Sequence, residues 1–296
     1  MSERPFTAAD FGAFAGLLNA LEHALTGHLG LVDAASVEGW LQRSDLARDT
    51  LLIEENGAAL AGVFVEARSP RGVFAGVVHP EERGRGLGGR LIEFGERRLV
   101  EVGAEKAHAW AFGQDAAAQD LFAARGYREV RRFWDMAIEL GDEPPAPAGV
   151  EVETFAGSDE AARAFHQALD EAFADHWEHH SSPFEQWWDE KRAAPDYDPT
   201  LWFLVRDGDE VAAVVRNDPE RMGGGYVGAL GVRRPWRGRG YGRALLLHSF
   251  REFHRRGLRR VSLGVDAANP TGATRLYESV GMAVETENVV FEKELP

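Results

Sequence analysis

The chain contains no cysteine. Disulfide staples, thiolate metal sites and a cysteine acyl-enzyme are therefore excluded, and any group transfer must use another nucleophile or pass directly to an acceptor. No apolar run approaches the ~18 residues that cross a bilayer, and Met1-Ser2-Glu3-Arg4-Pro5 lacks the basic and apolar regions of a secretory leader. A cytoplasmic protein with no membrane partner is expected. Positive charge is also scarce. Lys and Arg number 33 against 48 Asp and Glu, a net charge of -15, which disfavours nucleic acid as a partner and favours cationic ligands such as amines. What is present, 44% hydrophobic and 27% charged residues over 296 positions, suits an ordered chain long enough for two domains.

The segment Gly141 to Gly149 holds three prolines, which fix φ and remove donors, so it reads as a linker between a domain at 1–140 and another at 150–296. The two halves repeat. Arg83 matches Arg237, Gly86 matches Gly240, Gly88 matches Gly242, Leu91 matches Leu245 and Gly103 matches Gly257, each 154 residues apart (237 less 83). Leu121 and Leu276, and Gly126 and Gly281, follow at 155, one residue having been inserted. In the second half, Leu201–Val205, Val211–Val215 and Tyr226–Val232 read as strands. Apolar positions at helical spacing predict a helix from Gly242 to Arg256 with Gly257 beyond its end. Val261–Val265 reads as a strand, Thr271–Val280 as a helix and Val289–Leu295 as a last strand. The first half repeats the order with strands at Leu51–Glu54, Ala59–Val65 and Val73–Val78 and a helix at Gly88–Val102. The fold class is α/β in the mixed-sheet sense.

In Arg237-Gly238-Arg239-Gly240-Tyr241-Gly242 the glycines allow φ > 0 and close backbone approach, and the following helix aims free N–H groups at a ligand. This is an anion site, and Arg233, Arg234, Arg237, Arg239 and Arg243 surround it with positive charge. No Gly-Lys-Ser/Thr follows, which excludes a Walker loop, and no acidic residue stands where a dinucleotide ribose needs one. The loop, with its counterpart Arg83-Gly84-Arg85-Gly86-Leu87-Gly88 and the run Asn269-Pro270-Thr271-Gly272-Ala273-Thr274-Arg275-Leu276-Tyr277, resembles the GNAT N-acetyltransferase superfamily, in a tandem two-domain arrangement.

That resemblance implies two domains, each a mixed, mostly antiparallel sheet flanked by helices, with two central parallel strands splayed apart. It implies acetyl-CoA as co-substrate, with no metal. Leu230, Gly231 and Val232 would pair with pantetheine, and Arg237, Gly238, Arg239, Gly240, Tyr241, Gly242 and Arg243 would hold the pyrophosphate. Asn269 and Ala273 would flank the pantetheine arm. In the first half, Val77, Val78, Arg83, Gly84, Arg85, Gly86 and Gly88 are the matching cofactor positions. Tyr277 matches the tyrosine that protonates the departing thiolate in similar enzymes. Its counterpart in the first half is Phe122, which has no proton to give, and Gln114 stands at the Asn269 position, so the chemistry is assigned to the C-terminal half.

Similar enzymes often carry a basic glutamate six residues before the end of the strand entering the loop. Here that position is Tyr226, a poor base with a reference pKa of about 10. Glu178, and Asp218 and Glu220 in a loop before Tyr226, are other candidates. The aromatic and histidine-rich stretch, with His176, Trp177, Trp187 and Trp188, is the expected acceptor pocket for a small-molecule amine; a metal among its histidines is not favoured. Two alternatives are a non-catalytic acyl-CoA-binding sensor and a protein N-acetyltransferase. The internal repeat suggests a monomer or weak homodimer.

Overall fold

The computed structural model describes residues 1–42, 44–177, 179, 181–194, 196–269 and 271–296. By contact the chain divides into two compact units: Met1–Phe133 with Thr286–Pro296, and Trp134–Glu285. The Pro-rich segment 141–149 therefore lies inside the second unit, and the chain passes between units within strands.

In unit 1 the elements run β1 (Ser2–Arg4), α1 (Phe11–Thr26), α2 (Ala34–Leu41), the short α3 (Leu46–Asp49), β2 (Thr50–Glu55), β3 (Ala58–Glu66) and β4 (Arg71–Val78). There follow α4 (Leu87–Glu101), β5 (Lys106–Phe112), α5 (Ala116–Ala124) and the start of β6 (Arg128–Glu139). In unit 2, after the rest of β6, come β7 (Glu153–Thr154), α6 (Asp159–Phe173), α7 (Phe184–Ala193), β8 (Trp202–Asp207), β9 (Glu210–Arg221) and β10 (Gly224–Val232). The remaining elements are α8 (Tyr241–Arg255), β11 (Arg260–Asp266), α9 (Ala273–Ser279) and β12 (Ala283–Glu294), most of which belongs to unit 1.

The strands of unit 1 lie in the order β1-β2-β3-β4-β5-β12, those of unit 2 in the order β6-β11-β10-β9-β8-β7. The last strand read from the sequence thus serves unit 1, pairing antiparallel with β5 from Asn288↔Phe112 to Glu294↔Lys106.

Strand alternation sorts side chains onto two faces of each sheet. Phe203 and Val205 of β8 join Val215, Val227, Val261 and Leu263 beneath Leu245, Leu246, Phe250 and Phe253 of α8. Trp202 and Leu204 point the other way, with Val214, to meet Phe165 and Ala168 of α6 and Trp187 and Trp188 of α7. Helix α8 closes as its sequence predicts: Gly257 takes φ 82°, its N–H donates to His254 O, and the Leu258 N–H donates to Phe253 O at 2.9 Å.

The feature that positions the site is a parallel pair that stops early. β10 and β11 pair at Gly225↔Val261 and Tyr226↔Ser262 only, whereas β10 stays paired with β9 as far as Val232↔Ala213. In unit 1, β4 and β5 pair from Arg71↔Lys106 to Phe74↔Ala109 and then part. Both units have the splayed central strands that the resemblance implies.

Phe165, fully buried between Phe155 and Trp202, tests the α6 face. Phe165→Ala is expected to lower the unfolding free energy by about 3–5 kcal/mol in urea denaturation; an unchanged midpoint would contradict this packing.

Candidate active site

The site is assembled at the ends of the parted strands. β10 carries a bulge between Val227 and Ala229, within its pairing to β9, which re-aims the backbone beside the gap. A Cβ on Gly231 would lie 2.8 Å from Ala172 Cβ, so glycine there lets the end of α6 approach β10. After one 3-10 turn at Arg234–Trp236, Gly238 and Gly240 adopt φ 80° and 84°, and Gly240 caps α8 in the left-handed conformation. Among the described residues nothing lies within 4 Å of either Cβ position, so the backbone conformation and not space demands these two glycines. Gly242 has a different reason, a Cβ there meeting Leu276 of α9 at 3.0 Å. Among the described residues the N–H groups of Gly238 to Arg243 meet no acceptor, leaving the orphan donors of a helix N-terminus aimed into the loop.

The arginines differ from the expected open cationic cluster. Arg237 braces the loop: it donates to Val232 O (3.2 Å) and Ala172 O (3.1 Å) and pairs with Asp175 (3.2 Å). Arg234 shares Asp175, Arg239 pairs with Asp207 (2.9 Å), and Arg233 with Glu171 (2.6 Å) and Glu210 (2.8 Å). Arg234, then Arg237, hold the Asp175 carboxyl below its ordinary range. The repulsion among four of the five cations is relieved locally by these carboxylates. Arg243 is exposed. The signal for this was legible only in part: Asp175 directly precedes His176 in the chain, with nothing local to show that it faces the loop.

Tyr277 projects from α9 and is buried, 7% exposed. Its phenol is pushed up to about 12 by burial and by Tyr226, and its hydroxyl makes no hydrogen bond among the described residues. Tyr226, on β10, is half-buried and also raised, chiefly by burial; the Arg221 guanidinium lies 4.4 Å from its ring. The two tyrosines chosen from the sequence thus sense each other. Asn269 Oδ1 accepts from Thr271 N (2.8 Å) and Thr271 Oγ1 (2.6 Å), which shapes the turn into α9, whose first residue is Ala273.

The acceptor stretch departs from expectation. Trp187 and Trp188 do not line an open pocket: they are 9% and 5% exposed and pack on Trp202, and Trp188 Nε1 donates to Asp159 (2.8 Å). Aromatic area this large is most stable in the core, which is where α7 puts it. His176 packs on Phe173 in a tilted pair, with ring centroids 4.2 Å apart, and burial lowers its basicity. Trp177 is half-buried. Glu178 lies outside the described residues. Asp218 and Glu220 sit not in a loop but in β9, which runs on to Arg221. Pro219 is tolerated there because the pairing of β8 with β9 begins at Trp202↔Arg216, so no β8 partner needs a donor at 219.

In unit 1, Val77, Val78, Arg83, Gly84, Gly86 and Gly88 line one cavity of about 420 Å³, with Phe122 in its wall. Arg85 does not line it and pairs with Glu82. Arg83 is held bidentately by Asp115, the N-cap of α5. Phe122 stacks on Phe291 at 5.1 Å.

Two splayed-strand units, each with a glycine loop capping a helix, define an acetyltransferase architecture. The chain belongs to the acetyltransferase (GNAT) family, whose model matches residues 17–127 and 157–282, and it is an N-acetyltransferase. Among its relatives is a mycothiol acetyltransferase of Thermobispora bispora, 37% identical over 227 residues, 73% of this chain and 74% of the relative. That of Thermomonospora curvata is 33% identical over 287 residues, covering 94% and 93%. The crystal structure of a GCN5-related N-acetyltransferase from Sphaerobacter thermophilus superposes with TM-score 0.86 at 35% identity, covering 99% and 95%. A tandem GNAT protein from the clavulanic acid biosynthesis pathway shares the fold, with TM-score 0.73 at 17% identity, covering 99% of this chain and 98% of its own. Among the described residues no helix is long and apolar enough to cross a membrane.

The burial of Tyr277 is directly checkable. The phenolate absorbance lost on Tyr277→Phe should titrate at about 12 in the wild type; a component titrating at the ordinary 10.0 would contradict a buried phenol.

Proposed function

We propose that this protein transfers the acetyl group of acetyl-CoA directly to the amine of a small molecule, with the chemistry in unit 2. The observation that carries this reading is the conjunction of orphan N–H groups at the head of α8, a gap between β10 and β11, and the buried phenol of Tyr277. The loop from Arg237 to Arg243 would take the pyrophosphate on backbone donors, as helix N-termini do. Leu230, Gly231 and Val232 have no β11 partner among the described residues, so those of their backbone groups that face the gap would pair with pantetheine and polarise the thioester carbonyl, Val232 O being already held by Arg237. Tyr277 is neutral throughout the working pH range and holds a proton for the departing sulfur. Asn269 and Ala273, at the turn into α9, would flank the arm.

Unit 1 offers a cavity of about 420 Å³ behind a second glycine loop, but Phe122 in its wall carries no acid. This supports binding of acetyl-CoA there without turnover. The name of the relatives supports a mycothiol-type acceptor as the first amine to try, and the net charge of -15 favours a cationic one. An unperturbed amine of pKa about 10.4 is neutral to roughly one part in a thousand at pH 7, so a proton acceptor is needed.

Calorimetry with acetyl-CoA and thiol release over a panel of amines test the reading. Tyr277→Phe is expected to bind acetyl-CoA like the wild type and to lose about 10²-fold in kcat. Gly240→Asp, which sets a carboxylate and a strained Cβ at φ 84° among the orphan donors, is expected to lose one binding site and all turnover. A Tyr277→Phe enzyme with wild-type kcat would refute the assignment of the acid.

A further inference from the structure

The sequence leaves the amine without a base, because a tyrosine stands where a carboxylate is wanted. The fold supplies a carboxylate from the neighbouring strand. Tyr226 is the register partner of Asp218 on β9, so their side chains share one face of the sheet. Ser262 of β11, partner of Tyr226 on its other side, shares it too, and its buried hydroxyl has no hydrogen-bond partner among the described residues. A polar floor therefore crosses three strands on the face opposite α8. The bulge brings it close to the gap. A Cβ on Gly228 would lie 2.5 Å from Arg216 Nη2 and 3.0 Å from Asp218 Oδ2, so the Arg216–Asp218 pair occupies the space that glycine leaves in the bulge. We propose that Asp218 is the proton acceptor for the attacking amine, taking the place of a carboxylate at position 226.

The surroundings suit the task. Asp218 is 4% exposed. Arg216 of its own strand donates to it at 2.5 Å, and Arg221 approaches to 3.8 Å. Lys191 faces it from α7, and Asp196 from the loop beyond. Burial raises the carboxyl above its ordinary value, against the pull of Arg216, and so brings it nearer the range in which a base is effective. Tyr226 is moved the wrong way for a base, up from 10.0, and its hydroxyl is engaged by the backbone of Gly264 on β11. In the step, the amine nitrogen bonds to the acetyl carbon as the C–S bond breaks. One proton passes from nitrogen to Asp218, and one from Tyr277 to sulfur. The amide and the thiol leave, and the proton on Asp218 returns to Tyr277 through solvent.

The inference rests on the acetyl-transfer reading above, and the experiment separates the two. Thiol release is followed against pH for the wild type, Asp218→Asn and Arg216→Gln, with acetyl-CoA binding measured beside it. The wild type should lose kcat as pH falls through the pKa of a raised carboxyl. Asp218→Asn should bind acetyl-CoA normally, lose about 10²–10³-fold in kcat and lack that limb. Arg216→Gln, which removes the cation favouring ionised Asp218, should move the limb to higher pH. This shift decides the matter even where Asp218→Asn does not fold, since a merely structural ion pair would not move a titration. A wild type that turns over while Asp218→Asn keeps its kcat, or while Arg216→Gln leaves the limb in place, overturns the role of Asp218 alone. A wild type that releases no thiol with any amine overturns the acetyl-transfer reading, and this one with it.

Discussion

A buried strand must pair its N–H and C=O groups on both sides, and β10 does so on only one side beyond Tyr226. Its pairing with β11 ends after two residues, and the outer half of β10 faces a gap instead of a neighbour. The other features of the site follow from that constraint. The bulge at Gly228, the close approach of α6 at Gly231 and the tight packing of Gly242 on Leu276 hold the edges of the gap apart or in place. The same parting after Phe74 in unit 1 opens a cavity walled by Phe122. One architecture thus occurs twice, with a phenol in one copy and a phenyl ring in the other.

Charge is handled locally. The protein is strongly acidic, yet its glycine loop is rich in arginine, and the arginines are matched by Asp175, Asp207, Glu171 and Glu210. Arg237 is better described as the brace that ties the loop to α6 and to the end of β10 than as a free cation. Backbone donors are left as the principal anion-binding groups, and they do not depend on surface ion pairs that salt would screen.

Much of this was legible in the chain. Glycines at 154-residue spacing, a helix ended by Gly257 and the strand–loop–helix order are local signals, and the folded elements match them. Partners were not legible. The residues Val289 to Leu295 read as a strand, but nothing local says that they complete unit 1 against β5. Asn217-Asp218-Pro219-Glu220 has the composition of a turn; it is strand because β9 pairs here with β10, and Pro219 is tolerated because the pairing with β8 has already ended. Trp187 and Trp188 have the composition of a binding pocket and are core, because hydrophobic area sets residue type in both places.

The central claim is that the gap of unit 2 receives the thioester beside Tyr277. A crystal structure of the protein with CoA and a non-reactive acceptor amine tests it most directly. The account predicts CoA sulfur within hydrogen-bonding reach of the Tyr277 hydroxyl, pantetheine along Leu230 to Val232, and the amine on the Asp218 side of β10. CoA found only in the cavity of unit 1, with the loop from Gly238 to Gly242 facing solvent, would contradict it.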